Sequence, residues 1–100
     1  MEKEVKKKLP EIRALFQKYG AIRAFLFGSA AQDSMTPDSD IDFLFSFPKE
    51  MDFETYGDNY FKLLYDLKDL LNRDVDLVAE KTLKNPYLIE NIDRTKIRIM

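Results

Sequence analysis

The chain has 100 residues, 45% of them apolar and 34% charged, which is enough for one compact core and too little for a second domain. It contains no cysteine and no histidine, which excludes disulfides, thiolate and imidazole metal sites, thiol nucleophiles and histidine-based triads. Its net charge of −2 is unevenly spread: seven Lys/Arg meet three Asp/Glu over residues 1–23, and one Lys meets eight Asp/Glu over residues 33–58.

Val5, Leu9, Ile12, Phe16 and Tyr19 recur at spacings of four and three, the apolar stripe of a helix. Pro10 falls inside the stripe, so the segment is either one helix kinked there or two helices, the second opening at the proline. The unbroken phase of the stripe favours one kinked helix, with Gly20 as its stop. Ala24-Phe25-Leu26-Phe27 is a short apolar run that reads as a strand covered on both faces. Residues 28–39 are polar and turn-rich, with Thr36-Pro37-Asp38-Ser39 as a type I turn. From Asp40 to Phe47 the chain alternates, with Ile41, Phe43, Phe45 and Phe47 on one face and Asp40, Asp42, Leu44 and Ser46 on the other. After an acidic loop, a helix is expected over about 57–71, with Asp58 as candidate N-cap and Asn72 as left-handed C-cap. Tyr60, Leu63, Leu64, Leu67, Leu70 and Leu71 form its buried stripe. Val75–Ala79 reads as a third strand, Pro86 opens a short helix to about Asp93, and Lys96–Ile99 can add an edge strand.

The carboxylates carry the chemical signal. Asp40 and Asp42 are two apart in a strand and point to one side, although Asp is disfavoured in strands. Asp76 is a third carboxylate inside an apolar strand, between Val75 and Leu77. Three like charges brought together repel unless a cation neutralises them. Mg²⁺ suits that task, because it takes one or two carboxylates together with substrate phosphates. Gly28-Ser29 ends the first strand, where glycine admits a ligand close to the backbone and Ser29 offers a hydroxyl and an N–H to a phosphate oxygen. These parts describe a phosphoryl-transfer site. For them to meet, the first strand must arrive where the second departs, which makes that pair antiparallel. The helix between the second and third strands is a crossover, which makes that pair parallel. The expected fold class is α/β (α+β), a small mixed sheet with core order 1-2-3, flanked by helices, in a single domain spanning residues 1–100.

An EF-hand is rejected, because its loop needs Gly and Glu where this chain has Phe43 and Lys49. Asp38, Asp40 and Asp42 taken alone read equally well as a solvated turn. It is Gly28-Ser29 and Asp76 that tip the reading. The Lys6-Lys7-Lys8 run reads as a solvated helix face and the Leu and Tyr stripe of residues 60–71 as core, while Tyr56 and Tyr60 could be modification targets, although nothing in the sequence requires it.

Leu26-Phe27-Gly28-Ser29, ten residues, Asp40-Ile41-Asp42 and then Val75-Asp76-Leu77-Val78 resemble the DNA-polymerase-β-like nucleotidyltransferase superfamily. The chain is most similar to the stand-alone minimal nucleotidyltransferases, over nearly its whole length. The resemblance implies that Asp40 and Asp42 bind metal ions, that Asp76 completes the site, and that Gly28-Ser29 holds a nucleoside triphosphate. It implies two Mg²⁺ ions, with Mn²⁺ as an alternative, and ATP as substrate. It also implies a HEPN-type toxin partner for which the protein is the antitoxin, in some members by transfer of AMP to a tyrosine of the toxin. One departure stands out: family members commonly carry Gly-Ser-x-Ala-Arg-Gly, whereas Gln32 and Asp33 stand here in place of Arg and Gly.

Two functions follow. The first is Mg²⁺-dependent nucleotidyl transfer to a hydroxyl, with Asp76 as the group that takes the proton. The second is a binding module, an antitoxin that acts by contact alone, which the missing Arg favours and the three intact carboxylates disfavour. A chain this short leaves its pocket to be completed by a partner or a second copy. The acidic middle argues against direct nucleic-acid binding. No apolar run approaches the roughly 20 residues of a membrane span, the N-terminus shows no signal-peptide stretch, and the lack of cysteine agrees with a cytoplasmic location.

Overall fold

The structure, a computed structural model, describes residues 1–100. Two helices open it: α1 (Lys3–Lys7) and α2 (Leu9–Lys18), separated at Lys8. The single kinked helix expected from the stripe is therefore replaced by two. Pro10 has no N–H to continue a helical ladder, so it serves the first turn of α2 instead. The stripe keeps its purpose across the break, for Val5, Ile12 and Phe16 are all fully buried. Gly20 stops α2 with φ +89°, and Ala21 N–H closes the turn onto Phe16 C=O at 2.9 Å.

The strands are β1 (Arg23–Phe27), β2 (Ile41–Ser46), β3 (Val75–Ala79) and the two-residue β4 (Ile97–Arg98). They form one mixed sheet in the order β3-β2-β1-β4. β1 runs antiparallel to β2 and to β4, and β2 runs parallel to β3. Both pairings agree with the order and directions expected from the sequence, and β4 is the added C-terminal edge.

One face of the sheet is the core. Ala24, Leu26, Ile41, Phe43, Phe45, Leu77 and Ala79 meet Ile12 and Phe16 of α2, and Leu63, Leu67 and Leu71 of the long helix α4 (Phe53–Leu71). Phe16 and Phe43 pack edge to face at 5.5 Å between ring centroids, an arrangement that adds about 0.5–1.5 kcal/mol beyond area burial. The other face is thinly covered. Leu44 and Ile92 are buried but stand outside the main cluster, Ile92 coming from α5 (Pro86–Thr95). Phe25 and Phe27 are only half-buried, so β1 is sealed on one face rather than on both.

α4 begins one turn earlier than expected. Its N-cap is Asp52, whose carboxylate accepts from Thr55 N–H at 2.8 Å and from Thr55 Oγ1 at 3.0 Å. Asp58 lies inside the helix and pairs with Lys62 across one turn. Asn72 takes the left-handed cap, with φ 50° and ψ 41°. Four residues of the stretch read as turns form a short helix, α3 (Gly28–Ala31), which buries Ala30 and Ala31. Thr36–Ser39 closes as the expected turn, with Ser39 N–H on Thr36 C=O at 3.1 Å. A 3-10 turn over Glu80–Thr82 follows β3, and Asn85 caps α5 by accepting from Tyr87 and Leu88 N–H.

Candidate active site

Register places the carboxylates. Across the antiparallel pair Phe27 faces Asp42, and across the parallel pair Asp42 faces Asp76. Phe27, Asp42 and Asp76 therefore form one row over three strands, on the thinly covered face. Asp76 is exposed, Asp42 is half-buried, and Asp40 is exposed in the segment just before β2. Burial, and after it the charges of Asp76 and Asp40, push the Asp42 carboxyl up to about 6. Asp42 thus feels the charge of both other carboxylates. Nowhere in the chain do three carboxylates stand close enough to cage a metal by themselves.

That open set matches the chemistry of Mg²⁺, which keeps few carboxylate ligands and completes its shell with phosphate oxygens and water. The cradle beside it has the same character. Gly28 has φ +69°, a conformation that costs other residues about 1–2 kcal/mol. A Cβ at that position would overlap Asp42 Oδ2 and come within 3.2 Å of Asp42 Cγ. Glycine is thus required twice, for its backbone angle and to let the Asp42 carboxylate lie against the chain. Ser29 follows at the start of α3, half-buried, with its carbonyl tied to Ser34 N–H at 3.0 Å.

Gln32 closes α3, and its side-chain amide reaches back to Gly28 C=O at 3.5 Å. Position 32 therefore stands beside the cradle. Asp33 adopts φ 57°, a left-handed backbone that explains why glycine serves well there and why Asp is among the few residues that replace it. The largest groove, about 600 Å³, lies further along the same face, lined by Arg23, Leu44, Ser46, Ile89 and Ile92. It contains none of the three carboxylates, so its size is no guide to the chemistry.

Two residues were not singled out by the sequence for what they do here. Tyr60 reads as core stripe, yet its hydroxyl donates to Leu77 C=O at 2.7 Å, next to Asp76. Burial, then the charges of Asp76 and Tyr56, raise its phenol above the ordinary value. Arg73 carries no motif, yet it donates to the carbonyls of Ser39 and Thr36 beside Asp40. Sequence offers no periodic signal for either contact, because both partners are remote in the chain.

The family described as the nucleotidyltransferase domain matches residues 4–99. The chain belongs to that family. A solved structure provisionally described as a minimal nucleotidyltransferase shares 30% identity and a TM-score of 0.75, over 93% of this chain and 90% of that one. The chain is thus a nucleotidyltransferase of the minimal branch. A Methanocaldococcus jannaschii protein provisionally named a protein adenylyltransferase is 36% identical over 87 residues, or 87% of this chain and 85% of its own length. The same fold recurs, at 20% identity and a TM-score of 0.66, in a complex described as a tri-AMPylated Shewanella oneidensis HEPN toxin with an MNT antitoxin, over 95% of this chain and 71% of that one. No helix of this minimal nucleotidyltransferase is long and apolar enough to cross a membrane.

Proposed function

We propose that this minimal nucleotidyltransferase transfers AMP from ATP to a hydroxyl of a partner protein, a tyrosine of a HEPN-type toxin, and so acts as its antitoxin. The observation that carries the reading is the row Asp42–Asp76 in register, with the Gly28 backbone held against the Asp42 carboxylate. The names of two similar proteins, a protein adenylyltransferase and an antitoxin bound to an AMPylated toxin, support the choice of nucleotide and acceptor.

In this reading Gly28 and Ser29 receive the terminal phosphates, and Asp40, Asp42 and Asp76 would hold two Mg²⁺ or Mn²⁺ ions, which would supply charge neutralisation at the phosphates and a more acidic acceptor hydroxyl. The acceptor oxygen attacks the α-phosphorus, the bond to the β-phosphate oxygen breaks, and pyrophosphate departs. The acceptor proton passes to Asp76, which is exposed on the face where an acceptor arrives. Asp42 must be ionised to hold a cation, so in the metal-free chain its raised proton affinity should set protons in competition with the metal, and metal binding should weaken as pH falls. A reaction that draws on ATP agrees with a cytoplasmic protein.

The neutral Gln32 beside the cradle favours a second reading, an antitoxin that acts by contact alone. Incubation with α-labelled ATP, Mg²⁺ and the toxin partner separates the two. Transfer predicts label on the partner that disappears with Asp42→Asn. If no label moves and Asp42→Asn neutralises the toxin as well as the unaltered chain does, the contact reading stands and the catalytic one falls.

A further inference from the structure

We propose that Arg73 is a positioning residue for the metal-binding carboxylates, acting through the backbone that carries Asp40. The proposal rests on the reading of Asp40, Asp42 and Asp76 given above.

Parallel strands begin at the same end of a sheet, and here the first matched pair is Ile41 with Val75. The residues just before each strand therefore lie side by side: Ser39 and Asp40 next to Arg73 and Asp74. Asn72 in its left-handed turn delivers Arg73 to that place. From there Arg73 Nη2 donates to Ser39 C=O at 2.5 Å and to Thr36 C=O at 3.1 Å. On the far side of Asp40, Ile41 N–H donates to Asp74 C=O at 3.0 Å. Asp40 is thus bracketed by two ties to the strand that carries Asp76.

The loop has little else to hold it. Thr36, Pro37, Asp38 and Asp40 are all exposed, and the turn's own bonds join only Thr36 to Ser39. Asp38, Asp40 and Asp74 line the same groove as Arg73, yet the guanidinium pairs with none of them. It grips carbonyls and leaves the Asp40 carboxylate free for a cation. Both bonds leave from the one nitrogen Nη2, which the arginine side chain carries further from the backbone than lysine carries its ammonium.

The test uses the full chain with Mn²⁺·ATP as probe, its binding followed by water-proton relaxation, beside thermal melts in chelator. Arg73→Ala should weaken Mn²⁺·ATP binding at least tenfold, with Arg73→Lys in between, while all variants melt cooperatively. If Arg73→Ala and Arg73→Lys bind the probe as the unaltered chain does, even with a lowered melting temperature, Arg73 is merely structural and the proposal is overturned. Asp42→Asn is the control for the site itself. If it binds Mn²⁺·ATP as tightly as the unaltered chain, the carboxylates do not hold the metal. The reading of the site then fails before any question about Arg73 arises.

Discussion

Asp42 is held where its charge is unwelcome. Its carboxyl has an ordinary value of 3.8 and is pushed up to about 6 by burial, by Asp76 and by Asp40. The folded state therefore binds this proton more tightly than the unfolded chain does. The group's contribution to stability is complete below the ordinary value and is lost as pH rises through the folded one. Replacing it by a neutral amide removes the penalty. Asp42→Asn in chelator should melt higher than the unaltered chain at about pH 7.5, with the gain shrinking toward about pH 4.5, while transfer activity disappears. A lower melting temperature at the higher pH would count against a strained acidic cluster. Asp42 and Gly28 stand out in the sequence as a charge in a strand and a glycine at a strand end. That the open side of the glycine is where the Asp42 carboxylate lies is invisible there, since the two lie far apart in the chain and meet only through the β1–β2 register.

At the level of elements, α4 shows how local signals compete. Gly57 and Asp58 look like a boundary and a cap, but the helix runs through both and is capped by Asp52. The Thr55 bonds hold the Asp52 carboxyl below its ordinary value, as a working cap should. Nothing lies within 4 Å of a Cβ added at Gly57, so Gly57→Ala should stabilise by about 0.5–1 kcal/mol through backbone entropy alone. Asp52→Ala should lower the urea midpoint, and Asp58→Ala should leave it nearly unchanged, since its partner is an exposed lysine one turn away. One set of urea titrations covers all three. Equal effects for Asp52→Ala and Asp58→Ala would refute the assignment of the cap. Pro10 teaches the same lesson: the stripe persists through it because side-chain phase decides burial, while the missing N–H decides where one helix ends and the next begins.

Over the whole molecule, charge governs how the site meets a triphosphate. The chain carries −2 overall, with its acidic stretch leading into β2 and only a neutral amide at position 32. The isolated chain should bind ATP·Mg²⁺ weakly, and Gln32→Arg should tighten it severalfold at low salt, less so as salt screens the added charge. Titrations of both proteins at two ionic strengths check this. Unchanged binding would mean that position 32 does not face the phosphates. A partner could supply the same charge in trans, as arginine fingers do elsewhere.

The sequence by itself determined the order and directions of the three core strands and the main helices around them, and it singled out the carboxylates that the sheet register sets beside one another, while the break at Lys8 and the short helix α3 escaped it. Those follow from periodicity, from crossover rules and from residue types too costly to place in a strand without a use. Only the tertiary structure decided the rest: which face stays open, that Gly28 backs onto Asp42, and that Arg73 and Tyr60 tie distant main-chain carbonyls. Such contacts depend on register and on the reach of single side chains to backbone atoms, which every residue presents alike. A sequence pattern therefore holds no mark of them.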